Sequence, residues 1–176
     1  MSQRTVKTAP DCPFQKRFPS QLRKDDQFFM AHAYNLAIDA WVANEVPIGA
    51  IIEHKGSIIG KGFNQVESNK DATAHAEMLA ITQACAAIED WRLSEATLYV
   101  TKEPCPMCSG ASIMSRIGRV VYAFADPKMG GLGGAYNVND YPGMNHTLNV
   151  SVGVMEDECK ELIQTFFRLK RGLNKQ

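Results

Sequence analysis

Hydrophobic and polar positions alternate along the chain with the periods of helices and of strands. Residues 24–44 repeat apolar positions at helical spacing and predict an amphipathic first helix that ends before Val46 and Pro47. The periodic positions are Phe29, Ala33, Leu36 and Ala40. Two β-rich runs at 48–55 and 57–63 are separated by Gly56, which predicts an antiparallel hairpin.

The second half of the chain continues with alternating helices and strands. A helix at 75–88 is followed by a strand at 96–101, a helix at 105–118 and a strand at 119–124, and the last three form a βαβ unit. A strand at 147–153 and a helix at 156–171 end the pattern. The last helix has one apolar face formed by Cys159, Leu162, Ile163, Phe166 and Leu169. This order predicts an α/β fold, a single-domain three-layer α/β/α sandwich with a mixed five-stranded sheet.

Two segments lack this periodicity. Residues 126–146 form a long loop that contains GGLGG, and a loop of this length in a compact domain is more often functional than idle, so we expect it to cover a site. Residues 1–24 hold three prolines among polar residues and predict an N-terminal extension, flexible or loosely docked. The folded domain is therefore expected over residues 25–176.

Composition narrows the class of protein. A chain of 176 residues with 45% hydrophobic and 22% charged residues is typical of one globular domain. The start of the chain has no apolar signal core, and no apolar run approaches the roughly 18 residues that cross a bilayer, so we expect a soluble protein without a membrane partner. Five cysteines without secretory context argue against a disulfide framework and favour metal or redox chemistry in the cytoplasm.

The charges are balanced overall but unevenly distributed. Nineteen basic and 19 acidic residues give a net charge of zero, which argues against a uniformly cationic nucleic-acid binder. Residues 1–25 carry six basic and two acidic groups, residues 168–176 carry four basic groups, and the body between them is acidic. An anionic partner could bind these ends. A solvated tail and an ordinary basic helix C-terminus would explain the same charges.

Three residues with metal-binding chemistry lie where helices are predicted to begin. His75 begins one helix, and Cys105 and Cys108 of the PCPMC run begin another. Two thiolates and an imidazole can bind zinc, and the positive end of a helix dipole favours the thiolate form. Positions i and i+2 do not share a side of a regular helix, so His75 and Glu77 can serve one site only if it lies off the helix N-terminus.

The chemistry of such a site follows from its open position. Zinc with three protein ligands binds a water as its fourth, and lowers the pKa of that water toward roughly 7. Glu77 would then act as the base and later the acid that moves protons. Two alternatives stay open, because a lone CxxC is also typical of a thiol oxidoreductase and because a closed structural zinc site could recruit a fourth ligand. Candidates for that ligand are Cys12, Cys85, Cys159, His32, His54 and His146, and the spacing of none recommends it.

The combination of H-x-E with a later P-C-x-x-C is the signature of zinc-dependent nucleobase deaminases. The chain resembles the cytidine deaminase-like superfamily, and within it the bacterial tRNA-specific adenosine deaminases, over about residues 25–171. The resemblance rests on EVPIGA (45–50), Asn64, TAHAE (73–77), ATLYVT (96–101), EPCPMC (103–108), SRIGRV (115–120), GMNH (143–146) and FFR (166–168). The H-x-E motif of TAHAE and the P-C-x-x-C motif of EPCPMC define the superfamily, and the last two runs point to the tRNA branch.

This resemblance implies roles for individual residues. It implies one Zn²⁺ per chain held by His75, Cys105 and Cys108, with Glu77 as the proton shuttle. It further implies a flipped nucleotide hydrogen-bonded by Asn64, and a nucleic-acid cleft near Asp126 and His146. A capped turn would also explain Asn64, and local hydrogen bonds would also explain Asp126 and His146.

The resemblance also implies a reaction and its partners. The expected reaction is hydrolytic deamination of adenosine to inosine at the wobble position of a tRNA anticodon stem-loop, with attack of hydroxide at C6. The expected assembly is a homodimer. Two other readings remain: a zinc deaminase of a free base or nucleoside such as guanine or cytosine, and a catalytically silent zinc domain that only binds RNA, against which the intact Glu77 argues.

A basic stripe on the last helix is a candidate RNA contact. Its members, which share one face if the helix continues to its end, are Lys160, Gln164, Arg168, Arg171 and Lys175. We predict that Arg168 and Arg171 bind the RNA backbone without reading bases. A solvated helix face is the alternative.

Overall fold

The computed structural model describes residues 8–173 and contains five strands, five α-helices and one short 3₁₀ helix. In chain order they are α1 Asp26–Val42, β1 Gly49–His54, β2 Ser57–Phe63, α2 Val66–Asn69, α3 Ala76–Ile88, β3 Ala96–Val100, α4 Pro106–Met114, β4 Arg119–Tyr122, the 3₁₀ helix Val138–Asp140, β5 Asn149–Val152 and α5 Glu156–Leu173. None of the helices in this described range is both long and apolar enough to cross a membrane.

The five strands form one mixed sheet in the order β2-β1-β3-β4-β5. Strand β1 is antiparallel to both β2 and β3, whereas β3, β4 and β5 run parallel. The predicted hairpin and the predicted βαβ unit are thereby confirmed. Because β3 and β4 are parallel, their carboxyl ends lie at the same edge of the sheet, next to the start of α4.

Helices cover both faces of the sheet. Ile51, Tyr99 and Val121 pack against α1 and α5, whereas the next residues along the same strands pack against α3 and α4. Between α1 and α5, the rings of Trp41 and Phe166 meet edge to face with centroids 5.1 Å apart. The three-layer α/β/α sandwich predicted from the sequence is confirmed.

Two glycines in β2 let α3 lie directly on the sheet. A Cβ atom on Gly60 would stand 2.2 Å from the carbonyl oxygen of Ala80, and one on Gly62 would stand 2.4 Å from that of Ala76. Both distances are far below van der Waals contact. The absence of these side chains therefore sets the position of the first turn of α3, which carries Glu77.

The described part of the N-terminal extension lies on α1 and α5. The indole nitrogen of Trp41 donates to the carbonyl oxygen of Pro10 at 2.6 Å, and the ring of Phe14 packs edge-on against the same indole. Arg17 pairs with Glu158 of α5 at 3.1 Å. Residues 8–24 are thus docked through a buried and a charged contact, while the flexibility of the extension stays a prediction.

The apolar face of α5 is shorter than predicted. Cys159, Leu162 and Phe166 are buried, but Leu169 is 37% exposed, so its assignment to the buried face was wrong. Helix α1 ends at Val42, and Leu169 lies beyond it in an open groove that it lines together with Pro10 and Asp11 of the N-terminal extension.

Candidate active site

The three predicted zinc ligands lie at the first turns of two helices. His75 is the N-cap residue of α3, and Cys105 is the N-cap residue of α4. Pro106 occupies the first position of α4, where its missing N–H and fixed φ suit a helix start. Cys108 lies one turn along α4, and residues at i and i+3 share a helix face, so both thiols are directed to one side.

The ligand atoms have the spacing of a tetrahedral zinc site. His75 Nδ1 lies 3.6 Å from Cys105 Sγ and 3.5 Å from Cys108 Sγ, and the two sulfurs are 3.7 Å apart. Zinc bonds of typical length give tetrahedron edges of about 3.8 Å between sulfurs and about 3.6 Å between sulfur and nitrogen. Among residues 8–173 no further His, Cys, Asp or Glu joins this group, which leaves one corner for another ligand.

The electrostatics of the two thiols are coupled. The hydrogen bond between the two sulfurs, followed by the contact with His75, lowers the pKa of Cys105 to about 4. The same contact with Cys105 raises the pKa of Cys108, and burial raises it further. The hydrogen bond to Cys105 raises the pKa of His75. The neighbours of Cys105 therefore favour its thiolate form.

Glu77 is buried beside this group without belonging to it. Its side chain lies in the first turn of α3 and is 4% exposed. Burial raises the pKa of its carboxyl, and the carboxyl interacts with the Cys108 sulfhydryl. A raised carboxyl pKa makes the protonated form easier to reach, which suits a residue that both takes up and gives up protons.

Asn64 is brought next to the start of α3. It follows β2, is 6% exposed, and its backbone N–H donates to the carbonyl oxygen of Ile48 at 3.0 Å. The neighbouring Gln65 N–H donates at 2.9 Å to Ala74, the residue before His75. The Asn64 side-chain amide donates through Nδ2 to Glu45 at 3.2 Å.

Glu45 is a structural residue for which the sequence analysis predicted no role. Its side chain is 1% exposed and accepts from Asn64 and from the backbone N–H groups of Glu67 and Ser68. The last two are first-turn donors of α2, so a carboxylate about twenty residues upstream caps this short helix. The available signal was an acidic residue directly before the apolar VPIGA run.

Glu103 is a second buried carboxylate that accepts hydrogen bonds from backbone N–H groups, on the other side of the site. Its buried carboxylate accepts from the backbone N–H groups of Asp126 at 2.7 Å, Leu132 at 2.8 Å and Gly134 at 2.9 Å. In addition, Gly131 N–H donates to the carbonyl oxygen of Pro104 at 2.9 Å. The glycine-rich loop is thus attached to the turn that carries Cys105, which is where a loop that covers the site would have to lie.

Asp126 lies next to Glu103, but its carboxylate already has hydrogen-bond partners. It accepts from Lys102 Nζ at 2.6 Å and from the Lys128 N–H at 2.9 Å. Burial opposes the charge, but these hydrogen bonds outweigh it and lower the pKa of Asp126. His146 is placed elsewhere, since its Nε2 lies 2.7 Å from the carbonyl oxygen of Ile117, beyond the C-terminal end of α4.

Arg168 and Arg171 are also distant from the His/Cys group. Both are exposed on α5, which packs on the opposite face of the sheet from α3 and α4. Arg168 donates to Thr165 at 3.1 Å, and within the described residues neither arginine forms an ion pair. Lys175, the last member of the predicted stripe, lies outside the described residues.

Comparisons with known proteins agree with this geometry. Residues 24–171 match the family of MafB19-like deaminases. A tRNA-specific adenosine deaminase of Bacillus subtilis is 44% identical over 150 residues, which cover 85% of this chain and 93% of that relative. The chain belongs to the tRNA-specific adenosine deaminase family. The resemblance inferred from the sequence motifs is confirmed, and the thiol oxidoreductase reading is wrong.

Two solved structures extend the comparison. A structure from a study of A-to-I editing by tRNA:A34 deaminases matches this deaminase with a TM-score of 0.72 and 39% identity, covering 76% of this chain and 97% of the other. A guanine deaminase from Bacillus subtilis matches with a TM-score of 0.54 and 40% identity, covering 56% and 64% of the two chains. The first match confirms the cytidine deaminase-like fold expected from the sequence.

Proposed function

We propose that this deaminase converts adenosine to inosine at the wobble position of a tRNA anticodon stem-loop. The observation that carries the proposal is the tetrahedral spacing of His75, Cys105 and Cys108 with the buried Glu77 beside them. Family membership over most of the chain supports tRNA as the substrate.

The residues of the site suit this reaction. His75, Cys105 and Cys108 would hold one Zn²⁺, and zinc bound there supplies an acidified water as nucleophile at neutral pH. Glu77 would take one proton from the attacking water and deliver it to N1 of the adenine. It would then move the remaining proton of the new C6 hydroxyl to the amine, so that the C6–N bond breaks and ammonia leaves. Its raised pKa allows one carboxyl to serve in both directions.

Substrate contacts are proposed for three further residues. Asn64, beside the start of α3, would hydrogen-bond the flipped nucleotide. Asp126 would bind RNA by exchanging its Lys102 partner, since both carboxylate oxygens already accept hydrogen bonds. His146 would contact RNA outside the pocket, because it lies at the far end of α4 from Cys105.

A homodimer in the cytoplasm completes the proposal. Exposed apolar side chains on α4 and on the loop that follows β4, such as Met114 and Met129, would be covered by a second copy. All five cysteines are free thiols, which supports a reducing compartment.

Substitution of Glu77 tests the proposed chemistry. We expect Glu77→Gln to keep its zinc and to lose nearly all tRNA deamination, because the carboxyl moves protons and does not hold the metal. Cys105→Ala should instead lose zinc, which elemental analysis measures. A Glu77→Gln enzyme within tenfold of the parent activity, or a Cys105→Ala protein with a full complement of zinc, would contradict these assignments.

Charge reversal on α5 tests the RNA surface. The double change Arg168→Glu and Arg171→Glu should weaken tRNA binding and flatten its salt dependence by about one unit per lost phosphate contact, with zinc content intact. The control is Lys55→Glu with Arg92→Glu, the same charge change at two exposed residues, one in the turn between β1 and β2 and one in the segment between α3 and β3. These residues pair with Glu95 and Asp90, so the control is used only after its fold and zinc content are shown to match those of the parent. An unchanged affinity and slope in the Arg168 and Arg171 variant would mean that this surface is only solvated.

A second candidate function is deamination of free guanine. It is favoured by one observation, the 40% identity to a solved guanine deaminase. The same His, Cys and Glu residues would serve both reactions, so the two functions differ in how the base is held. Release of ammonia from guanine, compared with that from tRNA, separates them.

A further inference from the structure

Glu45 is almost completely buried, and each of its carboxylate oxygens has a separate set of donors. Oε1 accepts from the Ser68 N–H at 2.7 Å and from the Ser68 hydroxyl at 2.8 Å. Oε2 accepts from Asn64 Nδ2 at 3.2 Å and from the Glu67 N–H at 3.1 Å. Four donors therefore converge on one buried carboxylate, and one of them belongs to a side chain proposed to touch the substrate.

This arrangement decides which way the Asn64 amide is turned. An ionised carboxylate only accepts hydrogen bonds, so Asn64 must present its NH₂ group to it. A 180° rotation of the amide would place Asn64 Oδ1 against Glu45 Oε2, two acceptors in contact within a buried site. The cost of that contact fixes a single orientation of the amide.

The other edge of the Asn64 amide is available to a ligand. Within the described residues no group donates to Asn64 Oδ1, and the only buried side-chain polar atom without a partner is Nε2 of His32. Asn64 Oδ1 therefore keeps contact with solvent although the residue is only 6% exposed. The free edge presents the carbonyl oxygen as an acceptor.

We propose that Glu45 is a positioning residue of this deaminase, which fixes the Asn64 amide so that a flipped nucleotide meets its carbonyl oxygen. The proposal rests on the proposed function, because it assigns Asn64 to substrate binding. Glu45 itself touches no substrate and influences substrate binding only through Asn64.

The change Glu45→Gln challenges this role with a nearly isosteric side chain. If the glutamine NH₂ faces Asn64, the Asn64 amide must turn over to offer its oxygen, which inverts the polarity shown to the substrate. If the glutamine NH₂ faces Ser68 instead, it opposes the Ser68 N–H. We expect kcat/KM for a tRNA transcript to fall about 10- to 100-fold, which corresponds to the loss of one hydrogen bond to the substrate.

A double-mutant cycle on the zinc-loaded full chain separates positioning from simple structural support. The cycle compares the parent, Glu45→Gln, Asn64→Ala and the double variant on the same tRNA transcript. If Glu45 acts through Asn64, Glu45→Gln should cost less than threefold in the Asn64→Ala background. The matched control is Ser68→Ala, which removes a donor from the other oxygen and should change kcat/KM less than threefold.

The outcomes are distinguishable from a failure of the proposed function. A parent enzyme that does not deaminate tRNA would overturn the proposed function, whatever the variants do. An active parent with equal losses from Glu45→Gln in both backgrounds would overturn the positioning role. If Glu45→Gln does not fold or loses zinc, Glu45→Asp, which keeps the charge but withdraws it from Asn64, replaces it in the same cycle and is judged by the same outcomes.

Discussion

The buried carboxylate of Glu103 offers a quantitative test of how the glycine-rich loop is held. One oxygen accepts from the N–H groups of Leu132 and Gly134, and the other accepts from that of Asp126. Glu103→Gln keeps the shape of the side chain but replaces one acceptor by a donor. The amide can satisfy Leu132 and Gly134 only by turning its NH₂ toward the Asp126 N–H.

The cost follows from these contacts. The variant loses one charge-assisted hydrogen bond, weakens two others, and leaves a buried N–H without a partner. Together these changes should cost about 2–4 kcal/mol. Because typical domains are stable by about 5–15 kcal/mol, the chain should still fold, and the loss should be largest in local opening of the loop.

Native-state hydrogen exchange measures that opening residue by residue. In Glu103→Gln the amides of Asp126, Leu132 and Gly134 should exchange about 30- to 1000-fold faster than in the parent, the equivalent of the expected cost. Glu161→Gln, an exposed glutamate on α5, is the control and should leave these rates unchanged. Unchanged exchange at all three amides in Glu103→Gln, with unchanged urea stability, would refute the role assigned to this carboxylate.

Two further predictions concern stability. Gly62→Ala should lower the free energy of unfolding, measured in urea, by about 1–3 kcal/mol and should weaken zinc binding, because its Cβ would lie 2.4 Å from the Ala76 oxygen. The control is Gly110→Ala, whose Cβ would have no neighbour within 4 Å and which should cause neither effect. An unaffected Gly62→Ala together with a destabilised Gly110→Ala would contradict the claim that Gly62 allows α3 to approach the sheet. The Arg119 guanidinium holds the pKa of Asp26 below its ordinary 3.8, so this pair stabilises the fold above that pH and loses its contribution as pH falls through the lower, folded-state pKa. Asp26→Asn should therefore flatten the acid side of the stability profile, and a profile as steep as that of the parent would count against the pair.

The features that the sequence predicted are those encoded locally. His75 and Cys105 lie at helix starts, and such starts can be predicted from the few residues around them, such as Pro106. A cysteine at a helix N-terminus also favours the thiolate form, so its chemistry could be predicted from the same residues. The strand order was predictable to the extent that a hairpin and a βαβ unit each have a local pattern. These parts required no knowledge of distant contacts.

The features that escaped prediction depend on residues far apart in sequence. Nothing near Val66 indicates that α2 is capped by Glu45, and nothing near Asp126 indicates its pairing with Lys102. Leu169 has the periodicity of a buried residue, but its exposure depends on where α1 ends. In each case the deciding partner comes from another element of the fold.

The substrate of the zinc-loaded protein is the most direct test of the proposed tRNA deamination. The purified chain is incubated separately with a tRNA transcript that carries a wobble adenosine, with free adenosine, with guanine and with cytosine, while ammonia is measured and inosine in the tRNA is located by sequencing. We expect ammonia from the tRNA alone, in the same amount as inosine at the wobble position, and none with Glu77→Gln. Ammonia from guanine or cytosine without inosine in the tRNA would contradict the proposed tRNA deamination.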